Sequence, residues 1–268
     1  MYNIMFCCND KVFDCLLLTT LSYVKHNSEE TTFHILTMSL TDIKSEYIAL
    51  SEEHRQMLEN VLKKKNANSK VILYDCSDKY KAVLGKSENN LSKYTPYTML
   101  RLLACDFINL DKILYIDTDV MFNNPIDKLM NIDLKDFEFA GVRDYLGRVF
   151  INHNYINAGV LLLNLAQIRK TNLFEKCLDA LSIETYSFPD QTVLNKFAEK
   201  KMFLKNIYNM QHGFRKKCVI RHFCKTILWR PFYIVNIKQN NIQRVHKTLH
   251  IHAFDDIYEE YNELIKAF

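Results

Sequence analysis

The chain has 268 residues, 48% of them hydrophobic, and a net charge of +4 at pH 7. That length and apolar content can bury a large core, as one large α/β domain or two smaller ones, which excludes intrinsic disorder. So mild a charge does not point to nucleic acid, and five glycines and four prolines are too few for collagen-like, linker-rich or small-turn all-β architectures.

In chain order, the apolar run Tyr2 to Cys8 reads as a strand ending in Asn9-Asp10, and Val12 to Val24 has helical apolar spacing. Thr32 to Thr37 repeats the strand signal. Thr41 is expected to cap a long amphipathic helix running to about Lys65, and Lys70 to Tyr74 supplies a third strand. Thr95-Pro96 looks like a helix start, after which Leu100, Leu103, Ala104 and Phe107 form one apolar stripe, with Tyr97 and Arg101 on its edge, free to meet a ligand. Lys112 to Ile116 is a fourth strand that runs into Asp117-Thr118-Asp119. Phe137 to Val142 and Ile156 to Leu163 are further strands, Leu165 to Leu181 a helix, and Pro189 opens another carrying Asp190 and Gln191. Beyond Lys200 the periodicity weakens until Leu249 to Phe254 and an acidic terminal helix. Strands alternating with helices predict a Rossmann-like, mostly parallel sheet flanked by helices, with the ligand at the carboxyl edge.

None of the cysteines (Cys7, Cys8, Cys15, Cys76, Cys105, Cys177, Cys218, Cys224) forms a C-x-x-C pair, which suits a reducing cytoplasm. Nothing at the N-terminus reads as a signal peptide, and no apolar stretch reaches the roughly 18 residues of a spanning helix. The expectation is a cytoplasmic chain, soluble or peripheral on the inner face of a membrane.

The chemistry is carried by Ile113-Leu114-Tyr115-Ile116-Asp117-Thr118-Asp119-Val120-Met121-Phe122, a D-x-D (DXD) motif inside an otherwise apolar run. A bare D-x-D is commonly a turn. Within a buried strand, however, two carboxylates repel each other and lose hydration, and a hard divalent ion compensates both. Mg²⁺ or Mn²⁺ held this way keeps open positions for a diphosphate and assists its departure.

These residues, with their order and spacing, resemble glycosyltransferase family 8, from Tyr2 to about Asn195. The resemblance rests on Asn9-Asp10, Tyr97 to Arg101, Leu114 to Val120, Asn157-Ala158-Gly159-Val160-Leu161-Leu162-Leu163-Asn164, and Asp190-Gln191 with Leu194-Asn195. It implies a GT-A nucleotide-diphospho-sugar transferase fold and a retaining hexosyltransferase, akin to lipopolysaccharide galactosyl- and glucosyltransferases and to glycogenin. It also implies a UDP-sugar donor, Mn²⁺ (Mg²⁺ as alternative), and a glycan or lipid-linked saccharide acceptor. By the same resemblance Asp117 and Asp119 hold the metal. Cys7, Asn9, Asp10, Arg101, Thr118 and Asp144 belong to the donor site, Asn157, Ala158 and Gly159 line the sugar pocket, and Asp190 and Gln191 sit near the anomeric carbon. Residues 1–200 would form the catalytic region and 201–268 an extension completing the metal site.

The family usually adds a His ligand, with Gly three residues on and a diphosphate-binding Lys six on. His250 is expected in the first place, although Ala253 and Asp256 then occupy the other two. Lys247, Arg244 or His252 are the candidate replacements for that cation. Lys216, Lys217, Arg221, Lys225 and Arg230 interleave with Phe214, Phe223, Trp229, Phe232 and Tyr233, a pattern suited either to an anionic lipid surface or to a solvated face over a core. Two rivals remain open: a haloacid-dehalogenase-like phosphatase, whose D-x-D also follows an apolar strand, and a degenerate nucleotide-sugar binding protein without turnover.

Overall fold

The computed structural model describes residues 1–229 and 232–267. Its strands are β1 (Tyr2–Cys7), β2 (Thr31–Thr37), β3 (Lys70–Asp75), β4 (Lys112–Ile116), β5 (Val120–Phe122), β6 (Phe139–Arg143), β7 (Ile156–Asn164), β8 (Lys201–Phe203), β9 (Ile220–His222), β10 (Thr226–Trp229) and β11 (Phe232–Val235). The longer helices are α1 (Phe13–His26), α2 (Glu52–Lys63), α3 (Ser77–Leu84), α4 (Leu165–Thr171), α5 (Leu173–Ile183), α6 (Pro189–Phe197), α7 (Ile242–Leu249) and α8 (Asp255–Ala267).

A seven-stranded sheet of order β3-β2-β1-β4-β7-β6-β8 forms the centre. The strands β3, β2, β1 and β4 run parallel, as crossover connections through helices require. β7 is antiparallel to both β4 and β6. The 144–155 connection holds only the single helical turn Gly147–Phe150, so it returns the chain rather than carrying it across.

Side chains alternate between two cores, one on each face. In β4, Leu114 and Ile116 join the core that contains α1, α2 and the C-terminal segment, while Ile113 and Tyr115 join the one under Pro96–Leu103 and α5. Asp117, two residues after Tyr115, emerges at the carboxyl edge on the same side.

Three expected elements differ. The helix expected from Thr41 begins at Glu52, because Ser51 is the cap, its hydroxyl accepting from the His54 amide at 3.2 Å. The residues before it are a loop tied by Leu40 N to Tyr47 O and Asp10 N to Ile48 O. The single helix expected over Leu165 to Leu181 is two, broken where Asn172 turns left-handed (φ 52°). Pro96–Leu103 is 3-10 helix, and neither Tyr97 nor Arg101 stands free at its edge: Tyr97 is buried, its hydroxyl donating to Met38 O at 2.8 Å, and Arg101 is buried with its guanidinium on Thr98 O, Ala158 O and Asp117.

Candidate active site

β4 delivers Asp117 and Asp119 to the carboxyl edge, and β7 delivers Asn157, Ala158 and Gly159 beside them, since Ile116 pairs with Val160 and the Asp117 amide donates to Gly159 O at 2.8 Å. β5 then pairs antiparallel with β9, setting His222 opposite Val120. Ligand atoms of Asp117, Asp119 and His222 all lie within 4.8 Å of one another. His222 Nε2 stands 3.1 Å from Asp119 Oδ1 and 3.9 Å from Asp117 Oδ2. Asp119 Oδ1 is buried with that imidazole nitrogen as its near polar neighbour, so a neutral His222 and the carboxylate face each other lone pair to lone pair, which costs about 1–3 kcal/mol unless a proton or a cation joins them. Two carboxylates and an imidazole are an apt donor set for manganese or magnesium, the imidazole favouring manganese. The residues therefore fit the ion that the D-x-D motif implies.

The histidine that stands with the two carboxylates is thus His222. His250, expected there, is exposed at the left-handed C-terminal cap of α7 (φ 53°), where it ends a helix and joins no such group. Counting from His222, the places three and six residues on hold Lys225 and Leu228.

Gly159 allows this convergence. A Cβ there would lie 2.8 Å from His222 Nδ1 and 2.9 Å from Asp117 Oδ2, closer than real Cβ contacts allow. A buried chain of hydrogen bonds fixes the imidazole. Asn209 Oδ1 faces His222 Nδ1 at 3.0 Å, Asn209 Nδ2 donates to Asn157 Oδ1 at 2.8 Å, and Asn157 Nδ2 donates to Asp144 Oδ2 at 2.8 Å. Asn209 holds Nδ1–H and so aims Nε2 at the carboxylates. Sequence reading passed over Asn209, which stands alone in an aperiodic stretch.

Electrostatics at the pair are strong. Burial alone would raise the Asp119 carboxyl, but Lys238 and His222 outweigh it and hold it far below the usual carboxylate range. Lys238 Nζ is ion-paired to Asp119 Oδ2. Sequence reading missed this lysine too, and it is a cation beside the carboxylates that Lys247, Arg244 and His252 were expected to supply. Arg101 is buried, with Nη2 donating to Asp117 Oδ1 at 2.9 Å, Nη1 to Ala158 O at 2.5 Å, and Nε 3.3 Å from Asp190 Oδ2. Tyr115 also donates to Asp117 Oδ1, at 2.5 Å. Burial raises the Asp190 carboxyl, with Arg101 opposing.

Of the other expected residues, Gln191 Oε1 accepts from the Ala158 amide at 2.8 Å and its Nε2 donates to Asp144 Oδ2 at 3.3 Å. Cys7 ends β1 next to β4, its thiol pushed up by burial. Thr118 contributes its carbonyl, which accepts from Thr19 and Gln239. Asn9 is buried and reaches Glu46 O at 3.4 Å, while Asp10 Oδ1 accepts from the Ser51 amide at 2.8 Å and pairs with His54 at 2.7 Å, so both hold the loop before α2.

The family model for glycosyl transferase family 8 matches residues 3–229. The chain belongs to glycosyl transferase family 8. Among relatives, the glycosyltransferase GlyA of Streptococcus pneumoniae is 38% identical over 39% of this chain and 16% of its own length. A lipopolysaccharide 1,2-glucosyltransferase of Escherichia coli is 30% identical over 66% of this chain and 53% of its own. The family-8 chain therefore spans well under two thirds of both. The galactosyltransferase LgtC, solved with donor and acceptor sugar analogues, superposes with a TM-score of 0.72 at 19% identity, covering 97% of this chain and 95% of that one. The expected GT-A fold is thereby met. Family membership sets the phosphatase reading aside.

The basic-aromatic stretch is divided. Lys216, Lys217 and Lys225 are exposed, but Arg221 is buried, donating to Met210 O and His222 O, and Phe223 is core. These two are therefore lost to a lipid surface, and Arg230 lies outside the described residues. Among the described residues no helix is long and apolar enough to cross a membrane.

Proposed function

We propose that this family-8 chain moves a hexose, glucose or galactose, from a UDP-sugar to a saccharide acceptor with retention of configuration. The observation that carries the reading is the group Asp117, Asp119 and His222 at the carboxyl edge of β4, made possible by Gly159. A manganese ion held there, with magnesium as the alternative, would neutralise charge on the departing diphosphate. The Escherichia coli relative's name supports a glycan of the lipopolysaccharide type as acceptor.

The chain's own residues do the rest. Arg101 fixes Asp117 and Asp190 through a buried fork, and Asp144 and Ala158 hold the Gln191 carboxamide in one orientation at the sugar pocket. A carboxamide is too weak a nucleophile to form a covalent intermediate. The acceptor oxygen therefore bonds to the anomeric carbon on the face from which the UDP oxygen leaves, and that oxygen takes the acceptor's proton. Lys238 supplies the diphosphate cation that Leu228 does not.

A binding-only reading rests on that same Lys225 and Leu228 pair. One assay separates the two: UDP release from UDP-glucose and UDP-galactose with manganese, in wild type and Asp117→Asn. Slow release abolished by the substitution supports transfer. Tight UDP-sugar binding without release supports the binding protein, and absence of both overturns the donor reading.

A further inference from the structure

Beside Asn209, and lined by none of Asp117, Asp119 and His222, lies a cavity of about 240 Å³, just below the ~300–1,000 Å³ of most small-molecule pockets and suited to one sugar-sized group. Arg143, Arg148 and Arg215 line it, and no carboxylate does. Among the described residues the arginine ion pairs are those of Arg55 and Arg101 alone, so these three charges are uncompensated. Arg143 lies 3.9 Å over the Phe203 ring, its Nη2 only 3.4 Å from Asn154 Oδ1, and its buried Nε satisfies no acceptor. Beside it the rings of Tyr145 and His212 stack at 4.6 Å and 1°, and the Arg148 guanidinium lies 5.6 Å over the Tyr145 ring.

The nearest carboxylate, Asp144, does not neutralise them. Its oxygens accept from the Leu146 and Gly147 amides and from Asn157 and Gln191, which draws it into the donor site. Asn209 and Met210 join cavity and donor site: both line the first, Asn209 holds His222 and Asn157 of the second, and Met210 O accepts from the His222 amide at 3.1 Å. Guanidinium groups that line one cavity without counterions recognise phosphate through paired N–H donors, and the edges of an aromatic pair offer a sugar ring apolar contact.

We propose that this cavity is an acceptor subsite for a phosphate-bearing saccharide, read by Arg143, Arg148 and Arg215; the term acceptor rests on the transferase reading above. The phosphate belongs either to a monoester on the glycan or to a diphosphate linking sugar to lipid. The test is calorimetric titration in EDTA, so that no metal at the carboxylates recruits the anion. The probes are glucose, glucose 6-phosphate and an octyl diphosphate ester of glucose. At least one phosphorylated probe should bind ten-fold or more tightly than glucose, and the tighter of the two names the source. Arg148 and Arg215 are exposed, so Arg148→Ala/Arg215→Ala should fold, and it should lose that preference by ten-fold or more. Equal binding of glucose and both phosphates, or an unchanged preference in the double variant, overturns the inference. UDP binding by wild type with manganese, measured alongside, tests the donor reading separately: UDP bound while neither sugar phosphate binds sinks only the subsite, and the reverse sinks only the donor site.

Discussion

At the scale of single residues, Arg101 carries its charge into a site where it is 2% exposed, and only the carboxylates around it make that affordable. Burial disfavours its charged form, but Asp190, Tyr115 and Asp117 prevail and hold it charged. Arg101→Met leaves Asp190 buried without its cation, so a loss of about 3–5 kcal/mol is expected in urea unfolding; a loss below 1 kcal/mol would show that the network is not structural. His222→Ala should weaken manganese binding by at least about tenfold, judged by electron paramagnetic resonance, since even outer partners of metal ligands are worth about 10–100-fold, whereas His250→Ala should leave it unchanged. Gly159→Ala should mimic His222→Ala, because its Cβ displaces the imidazole and Asp117. The carboxylates were legible in the sequence, for acids inside an apolar strand stand out. The imidazole was not: His222 sits in aperiodic sequence and His250 in a short apolar segment, and the pairing of β5 with β9, about a hundred positions apart, is what brings His222 to the carboxylates.

At the scale of elements, β2 illustrates how burial is written into three adjoining strands. His34 stands between Asn3 Oδ1 and Tyr74 Oη, each at 3.0 Å, and burial, reinforced by Lys70, lowers its pKa to about 4. A histidine whose folded pKa lies below its unfolded value of about 6.5 contributes stability that is complete above 6.5 and lost as pH falls toward 4. Between pH 7 and pH 5 this amounts to about 2 kcal/mol. His34→Gln should remove that slope, so that wild type and variant, compared by urea unfolding at the two pH values, differ in their losses by this amount. Equal losses would mean that His34 titrates normally. β1 to β3 were readable because each is a short apolar run with a helix further along, and β4 because its apolar run ends in the D-x-D motif. The start of α2 was not, since Thr41 and Ser51 are both competent caps and the choice is made from outside the segment by Asp10, which accepts from the Ser51 amide and pairs with His54 in the first turn. Asn172 broke the helix after Leu165 for a similar reason, as asparagine enters the left-handed region at small cost.

At the scale of the whole molecule, the segment after residue 200 does two jobs with one set of contacts. Phe223, Val235, Ile237, Val245, Ile251, Phe254 and Ile257 enter the same core as β1 and α1, and α8 is tied to α1 by Lys25 and Asp256 at 2.5 Å. Phe254 meets Phe214 and Phe223 edge-on, at 5.7 and 6.3 Å between ring centres, and the Phe223 amide donates to Asp119 O at 2.8 Å. The core is therefore one residue removed from the second carboxylate. Phe254→Ala should cost about 3–5 kcal/mol through the cavity it leaves, and it should weaken manganese binding as β9 loosens, while Phe254→Leu, which refills most of the space, should retain both. Unfolding in urea, followed by circular dichroism and by proteolytic release of residues 201–268, should stay a single transition in every variant, because the segment shares its core with the central sheet. If Phe254→Ala instead released the C-terminal segment first, with the sheet still folded, that segment would be a separate cooperative unit, and the third metal ligand would be borne by an element able to leave the site.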